Sequence, residues 1–445
     1  KKQTQRGRAA AASACHRCRN QKIKCVQDTE RHGEFNGPCE PCRKLFRRNS
    51  KKIEHWFPCL FFRIKLNALV IYRAGNLGLT QRFDHTKMVN LPAVDPQKVF
   101  TIQITQGLCA APMELEVHYF LPAMHDKLDR EFVVDGVRRV HRLPPVCLRD
   151  VKKTSKVFVD YVRANAFEAI REVVKHEKTD DIIRDTFAAV LKHFNTLEVG
   201  FPQYPCGSKE RELLKNTVRH WFAIKHGFGS ASICGEETLN IPPISDYAPM
   251  NGLLSIPRMV IAQFDSIRHL TMHANLQSDV LGPFETLLLG QANGQWFTVF
   301  LVTFLFLQLV SDASSDRLRY VRENSRGQAL ETRYGKLGDP NTKFVEDLHY
   351  SAAVLLAHWD YYKRCDLVNV EGKGIDKLEP YQLDLIKSIA SRLKQKADSI
   401  PNTPLNGCWE HGLAWMSRMF APKTAKGAIW SPPPLFTQEK PSLGL

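Results

Sequence analysis

Six cysteines between residues 15 and 59 constrain this chain more than any other feature. Cys15, Cys18 and Cys25 form one group and Cys39, Cys42 and Cys59 a second, each opened by a Cys-x2-Cys pair. Such a pair can bring two thiolates to one tetrahedral zinc, and zinc favours these soft ligands. Six thiolates give four ligands to each of two zinc ions only if two sulfurs bridge. The likeness of the two halves points to the first cysteine of each, Cys15 and Cys39. The spacing leaves a second arrangement open, a single-zinc ribbon of the two pairs with Cys25 and Cys59 as bystanders. A disulfide framework fits less well, because a 445-residue chain can bury a core without covalent staples.

The residues between the sulfurs are basic, in the order Cys18-Arg19-x2-Lys22-x-Lys24-Cys25. Arg43, Lys44, Arg47, Arg48 and Lys51 follow the second pair. The segment resembles the fungal zinc binuclear cluster, the six-cysteine DNA-binding domain of fungal transcription regulators, and matches its first half at each defining position. The resemblance implies two Zn(II) per chain on Cys15, Cys18, Cys25, Cys39, Cys42 and Cys59. It also implies a lysine, here Lys22, that reads guanines in the major groove, commonly within CGG triplets, with Arg19 and Lys24 near phosphates. Guanine offers two acceptors there, O6 and N7, and one ammonium can donate to both. Arg43, Lys44, Arg47, Arg48 and Lys51 are the further candidates for DNA contact. Two features depart from the family. The loop from Cys25 to Cys39 is long, and the gap from Cys42 to Cys59 is roughly double the usual one, so His55 stands beside Cys59 as a candidate sixth ligand.

Charge follows the same division. Residues 1–65 hold 17 Lys/Arg against 5 Asp/Glu, and the remaining residues hold 45 against 41. A strongly basic head on a nearly neutral body points to nucleic acid more than to a membrane surface. The other six cysteines (Cys109, Cys147, Cys206, Cys234, Cys365 and Cys408) show no pairing pattern, as expected for a reducing compartment.

The expected fold is mainly α. A basic flexible arm (1–14) precedes the zinc head (15–65), a short antiparallel β layer (60–122) joins it to an all-helical body (150–420), and a Pro-rich tail (421–445) ends the chain. Period-two alternation predicts strands at 62–72, 100–105 and 114–119. From about 150 the period becomes helical. Phe158, Val162, Ala169 and Ile170 form one stripe, and Ile183, Phe187 and Val190 form another, entered at the capping residues Thr179-Asp180. A third passes through Leu214, Val218 and Trp221, and further helices are expected near 257–271, 295–322, 343–364 and 380–396. The apolar run Trp296–Val310 is too short for a membrane span and reads as a buried central helix.

No His-Glu-x2-His, Gly-x4-Gly-Lys or complete dinucleotide motif occurs in the sequence. Cys408 and His411 lack a third group to orient them, so no catalytic residue is assigned and a non-enzyme is expected. The function expected is a sequence-specific, DNA-binding transcription regulator in the nucleus, with double-stranded DNA as partner and no membrane. The other reading is a zinc-stabilised module that binds protein or RNA. Residues 60–125 lack apolar heptads, so a parallel zipper is not expected there. Any homodimer would form through the helical domain, and the head would dock on the small sheet.

Overall fold

The computed structural model describes residues 79–420 apart from 84–87, 136, 200–206, 228–230, 246, 248–249, 290–294, 325–339, 364, 368, 373–374 and 401–410. Before residue 79 it describes 18, 22–26, 40, 41, 44, 66, 69 and 71. The chain divides into two compact units, one built mainly on residues 1–68 and one mainly on 69–424. The arm, the tail and the docking of the head on the sheet lie outside the described residues.

The body opens with a sheet. β1 (Phe100–Thr105) pairs antiparallel with β2 (Met113–Tyr119), setting Ile102 opposite Leu115 and Ile104 opposite Met113. These four side chains are buried, so the alternation seen in the sequence is the face that meets the core. A two-stranded ribbon follows, β3 (Arg130–Val134) and β4 (Val137–His141). The chain then enters β5 (Val146–Leu148), which pairs with the far side of β2.

α1 (Val151–Lys175) starts at Asp150, whose carboxylate accepts the Lys153 amide at 2.9 Å. α2 (Asp181–Val199) is entered at Asp180, which accepts the Ile182 amide, as the capping residues predict. α3 (Gly207–Lys225) carries the third stripe, with Leu214, Val218 and Trp221 buried. β6 (Ser232–Cys234) and β7 (Leu254–Ser255) then return to the sheet, where β6 pairs with β1. The sheet order is therefore β5-β2-β1-β6-β7. Here the fold departs from an all-helical body: two strands drawn from between helices complete the sheet, so sheet and helices share one core.

α4 (Arg258–Leu276) packs on the sheet edge, where the Gln263 side chain accepts the Leu148 amide at 2.7 Å and so satisfies a group that an open edge would leave unpaired. α5 (Gly282–Leu289), α6 (Trp296–Asn324), α7 (Pro340–Lys363) and α8 (Pro380–Gln395) complete the bundle. A short pair, β8 (Cys365–Asp366) with β9 (Glu371–Gly372), follows α7. The first part of α6, Trp296–Arg317, is 22 residues long and so, by length and composition, long enough to cross a membrane where the run to Val310 looked too short; yet 94% of its apolar window is buried inside the fold. It is a core helix of the bundle, apolar on every side where it is enclosed.

Two further findings concern the approach to the body. The strand expected over 62–72 is described at three positions only. Leu66 lies in a 3-10 turn, and Leu69 and Ile71 lie in no regular element, though all three are buried. Burial of both Leu66 and Leu69 breaks the inside–outside alternation that a strand with one solvated face requires. Further on, the Asp126 side chain is fully buried and ion-paired with Arg82 at 2.8 Å, and it accepts from Thr80 and the Ala123 amide. Burial alone would raise its pKa, but the Arg82, Ala123 and Thr80 hydrogen bonds outweigh that and hold it below the usual value. Asp126→Asn is expected to cost about 1–3 kcal/mol, because it removes the negative charge facing the partly exposed Arg82 and weakens the charge-assisted hydrogen bonds between them. Chemical denaturation of the variant measures the loss, and a value below ~1 kcal/mol would contradict the assignment.

Candidate nucleic-acid interface

The head is described at its central point. Cys18 is helical and fully buried, and the Ile23 amide donates to the Cys18 carbonyl at 2.9 Å. Lys22 has φ +52°. A six-to-one hydrogen bond around a left-handed residue is the Schellman helix ending, a place normally taken by glycine. A lysine there carries a Cβ that costs on the order of 1 kcal/mol relative to glycine. The turn leaves Lys22 and Lys24 exposed, while Cys18 is buried and Cys25 half-buried. Two exposed cationic side chains thus lie in sequence between a buried and a half-buried cysteine.

The two cysteine groups are joined through the backbone. The Glu40 amide donates to the Val26 carbonyl at 2.9 Å, tying the residue after Cys25 to the residue after Cys39. Glu40 and Pro41 are helical, and Lys44 pairs with Glu40 at 2.6 Å across one helical turn, a surface pair that contributes little stability. Cys15, Cys39, Cys42, Cys59, His55, Arg19, Arg43, Arg47, Arg48 and Lys51 lie outside the described residues. No group of three metal-ligating side chains gathers among the described residues, to which only two of the six cysteines belong. The donor type fits zinc chemically, since thiolates are the soft ligands that zinc favours.

In the body, a line of hydrogen bonds crosses four helices. Thr298 on α6 donates to the buried Glu210 carboxylate on α3 at 2.6 Å. With that proton committed, His193 Nε2 on α2 must donate to the Thr298 hydroxyl at 2.9 Å. Its Nδ1 then accepts from Tyr381 on α8 at 3.4 Å. Burial raises the pKa of Glu210, against hydrogen bonds from Thr298 and Gln295, and burial lowers that of His193 to about 4. The line cross-links the bundle and holds His193 neutral with its proton on Nε2.

Periodicity did not reveal the β3–β4 ribbon. The signal was present as Asp135-Gly136 between Glu-Phe-Val-Val and Val-Arg-Arg-Val, since Asp-Gly is the preferred two-residue hairpin turn. Asp135 takes φ +49°, as that turn requires.

The second unit is a helical bundle closed on a small sheet, and its family is shown by comparison. A family model described as KpeA transcription factor matches residues 75–370, about two-thirds of the 445 residues, and the chain belongs to that family. The match lies in the body and does not reach the cysteine-rich segment. No curated protein and no solved structure matches the chain.

Proposed function

We propose that this transcription regulator reads specific DNA sequence through its head. Cys15, Cys18, Cys25, Cys39, Cys42 and Cys59 would hold two zinc ions, with His55 in reserve for the sixth place. Lys22 donates to guanine O6 and N7 in CGG-like triplets. Arg19, Lys24, Arg43, Lys44, Arg47, Arg48 and Lys51 sit against phosphates. The body regulates and carries any homodimer contact, the protein works in the nucleus, and it has no catalytic centre. The observation that carries this reading is Lys22 itself. A lysine occupies a left-handed helix end where glycine would relieve strain, and such a residue marks a functional constraint.

The test is selection of random duplexes by the 445-residue chain. Enrichment of CGG-like triplets is the expected result. Uniform, salt-sensitive binding would instead favour the zinc-stabilised interaction module. Substitutions at Lys22 separate fold from reading. Lys22→Ala should weaken the selected site by about 1–3 kcal/mol and relax its discrimination. Lys22→Gly should lose discrimination equally, yet make the head more stable by up to ~1 kcal/mol. Arg47→Ala should weaken all sequences alike and reduce the salt slope by about one unit. Equal losses on selected and random DNA for Lys22→Ala would contradict this division of roles.

A further inference from the structure

The net positive charge of the body is confined to one stretch. Residues 66–445 hold 45 Lys/Arg and 41 Asp/Glu; within 127–156 there are 9 and 4, so the rest of the body carries 36 against 37. That stretch is the β3–β4 ribbon and the start of α1. The ribbon is a two-stranded sheet of its own, anchored by Phe132 and Val134 on Ile244, Tyr247 and Met250. Its second strand is displayed to solvent, with Val137, Arg138, Arg139 and Val140 all exposed, and Arg142 just beyond it is exposed as well. Glu131 on the neighbouring strand pairs with Arg138.

Charge on an edge strand protects it from pairing with other strands, and one lysine or arginine serves that purpose. Three arginines in five residues exceed it. A two-stranded ribbon has the width to enter a DNA major groove, and guanidinium is the side chain best matched to phosphate. For a transcription regulator the polyanion at hand is duplex DNA. We infer that the β3–β4 ribbon is a second nucleic-acid contact, holding the phosphate backbone through Arg138, Arg139 and Arg142 without reading sequence. This rests on the reading of the chain as a DNA-binding regulator, but not on the head being the reader.

The test uses the zinc-loaded full chain and a ~40-bp duplex carrying the selected site, with binding measured between ~50 and ~300 mM salt. The variant Arg138→Gln/Arg139→Gln/Arg142→Gln is expected to lower the slope of log K against log salt by about two to three units, and to weaken selected and scrambled duplexes alike by roughly 10–100-fold. The triple Arg→Lys variant at the same positions should keep most of the slope. A control, Arg171→Gln/Lys175→Gln/Lys178→Gln, removes the same charge from exposed positions near the end of α1 and should leave the slope within about half a unit. An unchanged slope in the ribbon variant, or one matched by the control, overturns the inference and turns the ribbon toward an acidic protein surface. If the unaltered protein prefers no sequence, the reading assigned to Lys22 fails, while a slope lost only with the ribbon arginines still supports the ribbon contact.

Discussion

Chelating the two zinc ions proposed for the cysteine-rich head is expected to unfold it and leave the body folded. A structural zinc site supplies on the order of 10 kcal/mol of folding free energy, more than a small head could replace by burying apolar surface. The body forms a separate compact unit whose core includes the buried Trp221, Trp296 and Trp359, so the signal of those rings should survive chelation. Metal analysis should find two zinc ions per chain. Cys18→Ser, which removes the buried thiol, should lower that number and abolish selective DNA binding. One zinc per chain, unaffected by Cys25→Ser, would sink the two-zinc arrangement. Full retention of metal by Cys59→Ser would instead assign the sixth position to His55 or another group.

The second large effect is acid destabilisation of the body. Burial lowers the pKa of His193 and of His220 to about 4, and burial reinforced by Arg268 lowers that of His226 to about 3. Each therefore titrates below its unfolded value near 6.5. Between those values the unfolded chain binds more protons than the folded one, so stability is complete above pH 6.5 and falls as the pH drops toward the folded pKa values. The loss from pH 7 to pH 5 is about 2 kcal/mol per histidine, or roughly 6 kcal/mol for the three. Glu210 opposes this, because burial raises its pKa and the folded form takes up its proton first. Thermal unfolding followed from pH 7.5 to 4.5 measures the slope. His226 offers an independent check. Its ring packs edge-on against Tyr161 and Phe222, and its Nε2 has no hydrogen-bond partner among the described residues. His226→Phe should thus be neutral or stabilising at pH 7 and should shed about a third of the acid slope. A midpoint that does not move with pH would refute the assignment of these three histidines as neutral in the fold.

Much of the architecture was legible in the sequence, because two physical signals are local. Side-chain period separates strand from helix within a few residues. It located β1 and β2, the stripes through Phe158, Phe187 and Trp221, and the four later helices. The cap at Asp180 is likewise written in adjacent residues. Metal-ligand spacing and the run of basic residues between the sulfurs are local too, and they carried the functional reading toward transcription before the body showed its family.

What the sequence left undecided depends on partners far away along the chain. Three-residue β6 and two-residue β7 are too short to show a period, and they become strands only because the edge of β1 offers hydrogen bonds to 232–234. The apolar alternation near 62–72 placed Leu66 inside correctly but set Leu69 and Ile71 on the opposite face, and both are buried; such burial needs only surrounding core and no strand neighbour. The left-handed Lys22 was invisible as well, since its residue type argues for φ < 0 and only closure of the turn from Cys18 to Ile23 reverses it. Residue type and local period thus determined most elements of this protein and the reading proposed for its head. Long-range pairing, which supplies the hydrogen bonds and burial that short or strained segments lack, decided how those elements join into one core.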